Sequence, residues 1–204
     1  MWTSPKQAKI QVDNIVNTLS QASPQAKDAF TAAGKKYTDQ LEDLDKWASD
    51  SMSAVPEQDR VLFSSHDAFG YFSNEYGVKF IGSALSDFNH QQDATSSHID
   101  EQVKKVRESG AKAIFAENSN SSKSIEAIAR AAGVKAVTSD DALYGDSLGV
   151  PGSEGETYIG SIVHNINTLV SAWDSEQQPL PESLQAFDCL LYTSDAADDL
   201  LCVD

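Results

Sequence analysis

Apolar residues near the start of the chain recur every three or four positions, which is the spacing that places them on one face of an α-helix. The first such series consists of Ala8, Val12, Ile15, Val16 and Leu19. Ser4 and Pro5 precede it, and this pair is a start signal because serine caps free amides and proline fits the first turn. The pattern predicts a first helix within residues 1–22.

A second helical series follows Ser23 and Pro24, which repeat the start signal, and it stops before Pro56. Its apolar members are Ala26, Phe30, Ala33, Tyr37, Leu41, Leu44, Ala48 and Met52. A helix of about thirty residues would be ~45 Å long, which is more than a compact domain needs. Since the heptad is only approximate, we expect residues 23–55 to bridge two lobes rather than form a coiled coil.

From Arg60 onward, short apolar runs alternate with helical patterns, an order typical of a parallel α/β sheet. The predicted strands cover residues 61–64, 78–82, 113–117 and 134–138. The predicted helices cover residues 68–76, 97–109, 122–132 and 157–173, and glycines that suit left-handed helix ends follow at Gly77, Gly110 and Gly133. The predicted fold class is α/β, with a long bridging helix followed by a four-stranded parallel sheet with helices on both faces.

This α/β region is predicted to occupy residues 56–174. The polar, proline-containing segment 175–188 is expected to lead out of the fold. Residues 189–204 contain both cysteines of the chain, and their first part back-translates to a transposase-type sequencing-library adapter read in frame. We interpret them as adapter-derived and exclude them from fold reasoning. The alternative is an acidic tail with a disulfide.

The net charge of -16 at pH 7 argues against a nucleic-acid partner, because such proteins present basic patches to phosphate groups. Scattered acidic residues of this kind favour solubility. No apolar run approaches the ~20 residues that cross a bilayer. No N-terminal segment has the pattern of a signal peptide, so an export signal, if the protein has one, is expected outside this sequence.

Two chemically useful side chains follow predicted strands. His66 comes directly after the first strand, and Asp146 lies in a glycine-rich loop after the fourth. Ligands of open parallel sheets bind at the carboxyl ends of the strands, so this edge is the expected site. A neutral imidazole and a carboxylate are ligands for zinc, manganese or ferrous iron. The structural alternatives are a helix-capping histidine and an aspartate in an Asx turn.

Glu117 ends the third strand, where it can either orient a metal ligand or hold the polar turn that follows. Among the other histidines, His164 is expected to be structural, and His90 and His98 are expected to be solvated. The sequence contains no phosphate-binding glycine loop and no plausible Ser-His-Asp or Cys-His order. These observations favour a binding protein over an enzyme.

Several motifs then occur in a fixed order. They are Arg60-Val-Leu-Phe-Ser-Ser-His66-Asp-Ala-Phe-Gly-Tyr-Phe, Ile114-Phe-Ala-Glu117-Asn, Leu143-Tyr-Gly-Asp146-Ser-Leu-Gly, Gly155-Glu-Thr-Tyr158 and His164-Asn165. Up to about residue 173, the chain resembles the zinc/manganese-type solute-binding proteins of bacterial ABC transporters. In that family, one long helix joins two α/β lobes, and each lobe supplies two ligands to a metal ion held between them.

The resemblance implies that His66 and Asp146 are the metal ligands of the C-terminal lobe. It also implies that residues 1–22 are a helix of the N-terminal lobe and that residues 23–55 are the interlobe helix. One of the family's other histidines belongs to an Asp-Pro-His-x-Trp motif whose last two positions match Met1 and Trp2. That histidine would stand directly before this chain. We therefore expect a fragment that binds metal weakly, because zinc sites usually need three or four protein ligands.

By the same resemblance, the parent protein captures Zn²⁺ or Mn²⁺ as cargo rather than as a catalytic cofactor. It delivers the ion to an ABC permease from the periplasm or from a lipid anchor at the outer face of the cytoplasmic membrane, and it is expected to be a monomer. Zinc is favoured by the histidine at position 66, and manganese follows closely. The competing hypotheses are a metal-dependent hydrolase with an open position for water and an adhesin-type surface lipoprotein.

Overall fold

The computed structural model describes residues 2–85 and 96–187 of the chain. Its helices and strands, in chain order, are α1 (Pro5–Ala22), α2 (Lys27–Ala54), β1 (Val61–Ser64), α3 (Gly70–Tyr76), β2 (Lys79–Ser83), α4 (Ser96–Ser109), β3 (Ala113–Phe115), α5 (Lys123–Ala132), β4 (Lys135–Val137) and α6 (Tyr158–Ala172). His90 and the adapter-like segment 189–204 lie outside the described residues. Among the helices described, none is long and apolar enough to span a bilayer.

The long helix predicted over residues 23–55 is present as a short 3₁₀ turn followed by α2. Ser4 caps α1 as predicted, because its hydroxyl accepts a hydrogen bond from the backbone N–H of Gln7. α1 packs along α2, and the two helices approach closely at Gly34. A Cβ atom at that position would lie 2.3 Å from Cγ2 of Val16, so the close packing requires glycine.

Part of the apolar series predicted for α1 faces solvent in the structure. Ile15 and Leu19 are 57% and 42% exposed, whereas Ala8 is buried. The reason is that α1 packs chiefly against α2, which covers one side of it. Periodicity identifies an apolar face, but burial of that face requires a second packed layer.

The four predicted strands are all present and run parallel, but they pair in twos. β1 pairs with β2, with Val61 opposite Lys79, and β3 pairs with β4, with Ala113 opposite Lys135. Within the described residues, no backbone ladder joins the two pairs into the single four-stranded sheet that the sequence predicted. β1 and β3 lie side by side, and side-chain hydrogen bonds join their carboxyl ends, as described below for Glu117.

β1 and β3 are buried on both faces, as expected for strands of a parallel sheet with helices on both sides. Leu62 and Phe115 point into a core shared with α2, α3 and α6. Phe63 and Ile114, their chain neighbours, point into a second core shared with α4 and α5. Full burial of each such side chain contributes about 1.5–3 kcal/mol. This packing fixes the strands, and thereby fixes where the loops at their carboxyl ends begin.

α3 begins later than the predicted start at residue 68, and Tyr71 lies on its exposed face. It starts at Gly70, and Phe69 and Phe72 are buried while Tyr71 is 48% exposed. Residues three apart share a helix face, whereas a residue between them points elsewhere, so Tyr71 does not belong to the apolar face. The helix ends at Gly77 with a positive φ of 63°, and Gly110 and Gly133 also have the positive φ that the sequence predicted.

The segment after α6, expected to lead away from the fold, returns to α2 over its described part. Leu184 is fully buried. The indole N–H of Trp47 donates a hydrogen bond to the carbonyl oxygen of Gln178 at 3.2 Å. The hydroxyl of Ser183 donates to Asp43 Oδ2 at 2.6 Å. Residues 175–187 are therefore part of the packed structure, against the long helix.

Candidate metal centre

His66 lies in the loop that joins β1 to α3, at the carboxyl end of the strand. Its carbonyl oxygen accepts hydrogen bonds from the Ser64 hydroxyl at 2.7 Å and from the Ala68 N–H at 3.1 Å, which closes a tight turn. Its side chain is 14% exposed. The N-cap position of α3 is Phe69, so His66 does not cap that helix. The turn instead holds the imidazole at the edge of the sheet.

The structure brings together all three side chains that the sequence selected. The Nε2 atom of His66 lies 2.7 Å from Oδ2 of Asp146, and its Nδ1 atom lies 2.8 Å from Oε2 of Glu117. The three residues come from the loop after β1, the loop after β4 and the end of β3. The imidazole therefore stands between two carboxylates, one on each ring nitrogen.

The two carboxylates differ in their access to solvent. The Asp146 side chain is 50% exposed, and the Glu117 side chain has no exposed surface. An ion arriving from solvent would therefore meet Nε2 and Asp146, whereas Glu117 would support the ring from behind. No group of three His, Cys, Asp or Glu side chains suited to hold one ion is found in residues 2–85 and 96–187.

Glu117 connects three segments of the site. Its Oε1 atom accepts a hydrogen bond from the backbone N–H of His66 at 2.9 Å, and its own N–H donates to the Ser65 hydroxyl at 3.1 Å. Its Oε2 atom lies against Gly145, where an added Cβ would come within 1.9 Å. Burial raises the pKa of the Glu117 carboxyl, and the hydrogen bond from the His66 N–H opposes this effect.

His164 occupies a structural position, as expected. Its Nε2 atom lies 3.1 Å from the carbonyl oxygen of Ala142, and its Nδ1 atom lies 2.9 Å from Glu154 Oε2. Its ring packs edge-on against Tyr144, with a centroid separation of 4.9 Å. His98, expected to be solvated, has its Nε2 atom 3.2 Å from the carbonyl oxygen of Ala84.

The first residues of the chain lie beside the His66 loop, a contact that sequence reasoning missed. The Thr3 hydroxyl donates to the carbonyl oxygen of Ala68 at 3.2 Å, and the Tyr158 hydroxyl donates to the carbonyl oxygen of Trp2 at 2.7 Å. Residues 2–4 are thus anchored next to the proposed ligands. The sequence signal that could have pointed to this contact is Tyr158, which belongs to the motif Gly155-Glu-Thr-Tyr158.

Residues 1–172 match the family model described as zinc-uptake complex component A, periplasmic. The chain belongs to this family. Within it, the manganese-binding lipoprotein MntA of Bacillus subtilis is 41% identical over 163 residues, which is 79% of this chain and 53% of MntA. The zinc-binding protein TroA of Treponema pallidum is 30% identical over 174 residues, which is 84% of this chain and 56% of TroA.

A solved structure of the same family has the same fold. The periplasmic zinc-binding protein TroA from Treponema pallidum aligns with a TM-score of 0.76 at 30% identity, covering 86% of this chain and 63% of that one. The family resemblance and the α/β fold class predicted from the sequence are thereby confirmed. The chain spans about half the length of the curated zinc-uptake family members it matches.

Proposed function

We propose that His66 and Asp146 are metal ligands, and that the protein captures a divalent transition metal, zinc or manganese, for delivery to an ABC permease. The observation that carries this proposal is the 2.7 Å approach of His66 Nε2 to Asp146 Oδ2 at the carboxyl end of the strands. The pair is open to solvent on one side, and a small separation of the two atoms would let both bind one cation at the usual distances of about 2.0–2.2 Å.

Glu117 supports the proposed ligand from behind. A cation bound between Nε2 and Asp146 would leave the ring proton on Nδ1, which lies 2.8 Å from the buried Glu117 carboxylate. Metal-bound histidines commonly direct the other ring nitrogen to a carboxylate, which fixes the tautomer and increases the basicity of the ligand. This arrangement favours Glu117 as an orienting group that is not itself bound to the ion.

The donor set favours zinc over manganese for this half of the site. Imidazole suits zinc, while carboxylate suits both ions, and a given site of this kind binds Zn²⁺ more tightly than Mn²⁺. The names of the relatives include both metals, with manganese for MntA and zinc for TroA. We therefore expect this chain to bind both ions and to prefer zinc.

The coordination sphere that these two donors provide is incomplete, since a zinc site takes about four ligands. Water or protein groups beyond residues 2–85 and 96–187 would fill the other positions. Weak binding by this chain, as expected from the sequence, is thus part of the proposal. The half-exposed Asp146 leaves a path for the ion to enter and leave, which suits capture and release.

Transport fits this geometry better than hydrolysis does. A hydrolase needs a general base beside the metal-bound water, and Glu117, the buried carboxylate beside His66, is already engaged by the His66 N–H and ring. The family is described as a zinc-uptake component, MntA is a manganese-binding lipoprotein and TroA is a zinc-binding protein. The family is described as periplasmic and MntA as a lipoprotein, and we extend an extracytoplasmic location and a permease partner to this protein.

The test is calorimetric titration of the chain with ZnCl₂ and with MnCl₂. We expect one weak, saturable zinc site that His66→Ala and Asp146→Ala each weaken by at least ~10-fold. His98→Ala and Asp140→Ala are the matched controls, since these residues lie outside the site, and they should bind as the unchanged chain does. Zinc binding that survives both His66→Ala and Asp146→Ala would reject the proposal.

A further inference from the structure

The loop that carries Asp146 is fastened on its N-terminal side by Asn165 of α6. The Oδ1 atom of Asn165 accepts a hydrogen bond from the Tyr144 N–H at 2.8 Å, and its Nδ2 atom donates to the Tyr144 carbonyl oxygen at 3.0 Å. Asn165 is 1% exposed. One side-chain amide thus satisfies both backbone groups of the residue two positions before Asp146.

The same loop is fastened on its C-terminal side by Asn118, which directly follows Glu117. The Nδ2 atom of Asn118 lies 2.9 Å from the Ser147 hydroxyl and 3.3 Å from the carbonyl oxygens of Ser147 and Leu148. Its backbone N–H donates to the Leu143 carbonyl oxygen at 2.9 Å. The end of β3 therefore holds the loop both before and after Asp146.

Between Tyr144, which Asn165 contacts, and Ser147, which Asn118 contacts, the backbone at Gly145 has few conformational restraints of its own. Gly145 has no side chain because its Cβ would collide with the Glu117 carboxylate, and glycine permits more backbone conformations than any other residue. Without external contacts, Asp146 would be free to swing on this glycine. A ligand must be held close to its productive position to bind well, and here loop contacts have to supply that constraint.

We propose that Asn118 and Asn165 are positioning residues that hold the Asp146 carboxylate against His66 before any metal ion arrives. The inference rests on the proposed function, in which Asp146 is a ligand. Asparagine suits both positions because one neutral amide carries donors and an acceptor. Aspartate would lack the donor and would add a negative charge close to the ligand.

Asn118 is the residue to substitute first, because its side chain is exposed and can be changed without disturbing the core. Asn118→Ala removes the amide, and Asn118→Leu removes it while keeping nearly the same size. Asn167→Ala on α6 is the matched control, since within residues 2–85 and 96–187 its side chain forms no hydrogen bond with the loop. Asn165→Ala is the second variant, for a chain that remains folded by circular dichroism.

The first measurement is hydrogen–deuterium exchange of the metal-free chain, followed in the peptide that covers residues 144–150. We expect faster exchange there in Asn118→Ala and Asn118→Leu, with the rest of the chain and the thermal midpoint unchanged. Asn167→Ala should match the unchanged chain. Unaltered exchange in both Asn118 variants would overturn the inference, whether or not the chain binds metal.

The second measurement is the zinc dissociation constant of the same variants. Outer-shell partners of a metal site typically contribute about 10–100-fold in affinity, and we expect ~10-fold weaker zinc binding in both Asn118 variants. Wild-type affinity in Asn118→Leu would assign the residue a packing role and overturn the inference. If His66→Ala leaves zinc binding intact, the proposed function fails instead, and loop exchange alone then decides whether Asn118 holds Asp146.

Discussion

The Nδ1 atom of His66 and the Oε2 atom of Glu117 lie 2.8 Å apart, although 51 positions separate the two residues in the chain. The contact crosses between the carboxyl ends of β1 and β3. It fixes the imidazole from the protein side, so that Nε2 faces Asp146 and solvent. Several properties of the site and of the fold around it can be tested through single substitutions.

Glu117→Gln should weaken zinc binding by about 10–100-fold while the fold is kept. Glutamine has one oxygen, and the His66 backbone N–H and the ring Nδ1 both need an acceptor at this place. The amide therefore favours the ring tautomer with its proton on Nε2, which opposes metal binding. Competition titration with a zinc-binding dye measures the effect. Glu57→Gln, at an exposed position, serves as the control and should leave affinity unchanged.

Gly145→Ala should destabilise the protein by about 1–3 kcal/mol, because the new Cβ would collide with Oε2 of Glu117, whose side chain is buried and hydrogen-bonded to the His66 N–H. Urea unfolding measures the change. Gly70→Ala is a suitable comparison, because the Cβ there meets an atom only at 3.9 Å and the position begins a helix. Equal stability of the two variants would show that the Gly145 contact is not tight.

Gly34→Ala should also destabilise, although alanine normally favours a helix over glycine by about 1 kcal/mol. The Cβ would lie 2.3 Å from Val16 Cγ2 and would force α1 away from α2. The double variant Val16→Ala/Gly34→Ala removes the clash and should recover part of the loss, which gives a favourable coupling energy. Additive effects in thermal unfolding would argue against this close helix crossing.

Stability should fall above about pH 10, the ordinary pKa range of tyrosine. Burial raises the pKa of Tyr76, and its hydroxyl donates to Asp45 Oδ1 at 2.8 Å, so the folded state strongly prefers the protonated phenol. Below the unfolded-state pKa of this tyrosine, both states keep the proton, so the group's contribution to stability does not change with pH. Above that pKa, the unfolded chain loses the proton while the folded state keeps it. The free energy of unfolding should then decrease by up to ~1.4 kcal/mol per pH unit.

Urea unfolding between pH 7 and pH 11 measures this dependence, with Tyr76→Phe as the control. The variant loses the hydrogen bond to Asp45 and should be less stable at pH 7 by about 1 kcal/mol. It should also lose less stability at alkaline pH than the unchanged chain does. Burial raises the pKa of Tyr158 as well, so some alkaline loss should remain. Parallel curves for the two proteins would contradict the assignment to Tyr76.

The regular elements were predictable because each has a local signal. β1 is a short apolar run closed by serines, and α5 and α3 end at glycines that adopt a positive φ. The positions of His66, Glu117 and Asp146 after strands also followed from the sequence, since parallel strands all end at the same edge of a sheet. Their role as metal site residues remains a prediction until the titrations above are made.

Other features could not be predicted from local patterns. Tyr71 and Leu19 are apolar by type but exposed, because no described layer covers those faces. The return of residues 175–187 to α2 depends on contacts such as Trp47 with Gln178, which are 131 positions apart. Asn118 belongs to one of the family motifs, but its contacts could not be predicted, since its partners belong to a loop that only folding brings near.

The amino-acid sequence by itself determined the α/β order of elements, the family and the residue types able to bind a cation, because these follow from periodicity, turn residues and short motifs. The tertiary structure alone decided that one imidazole lies between an exposed and a buried carboxylate, and that two asparagines form hydrogen bonds with the loop that carries the exposed one. Those relationships depend on side chains from distant segments, whose distances are set by the packing of the strands and helices between them.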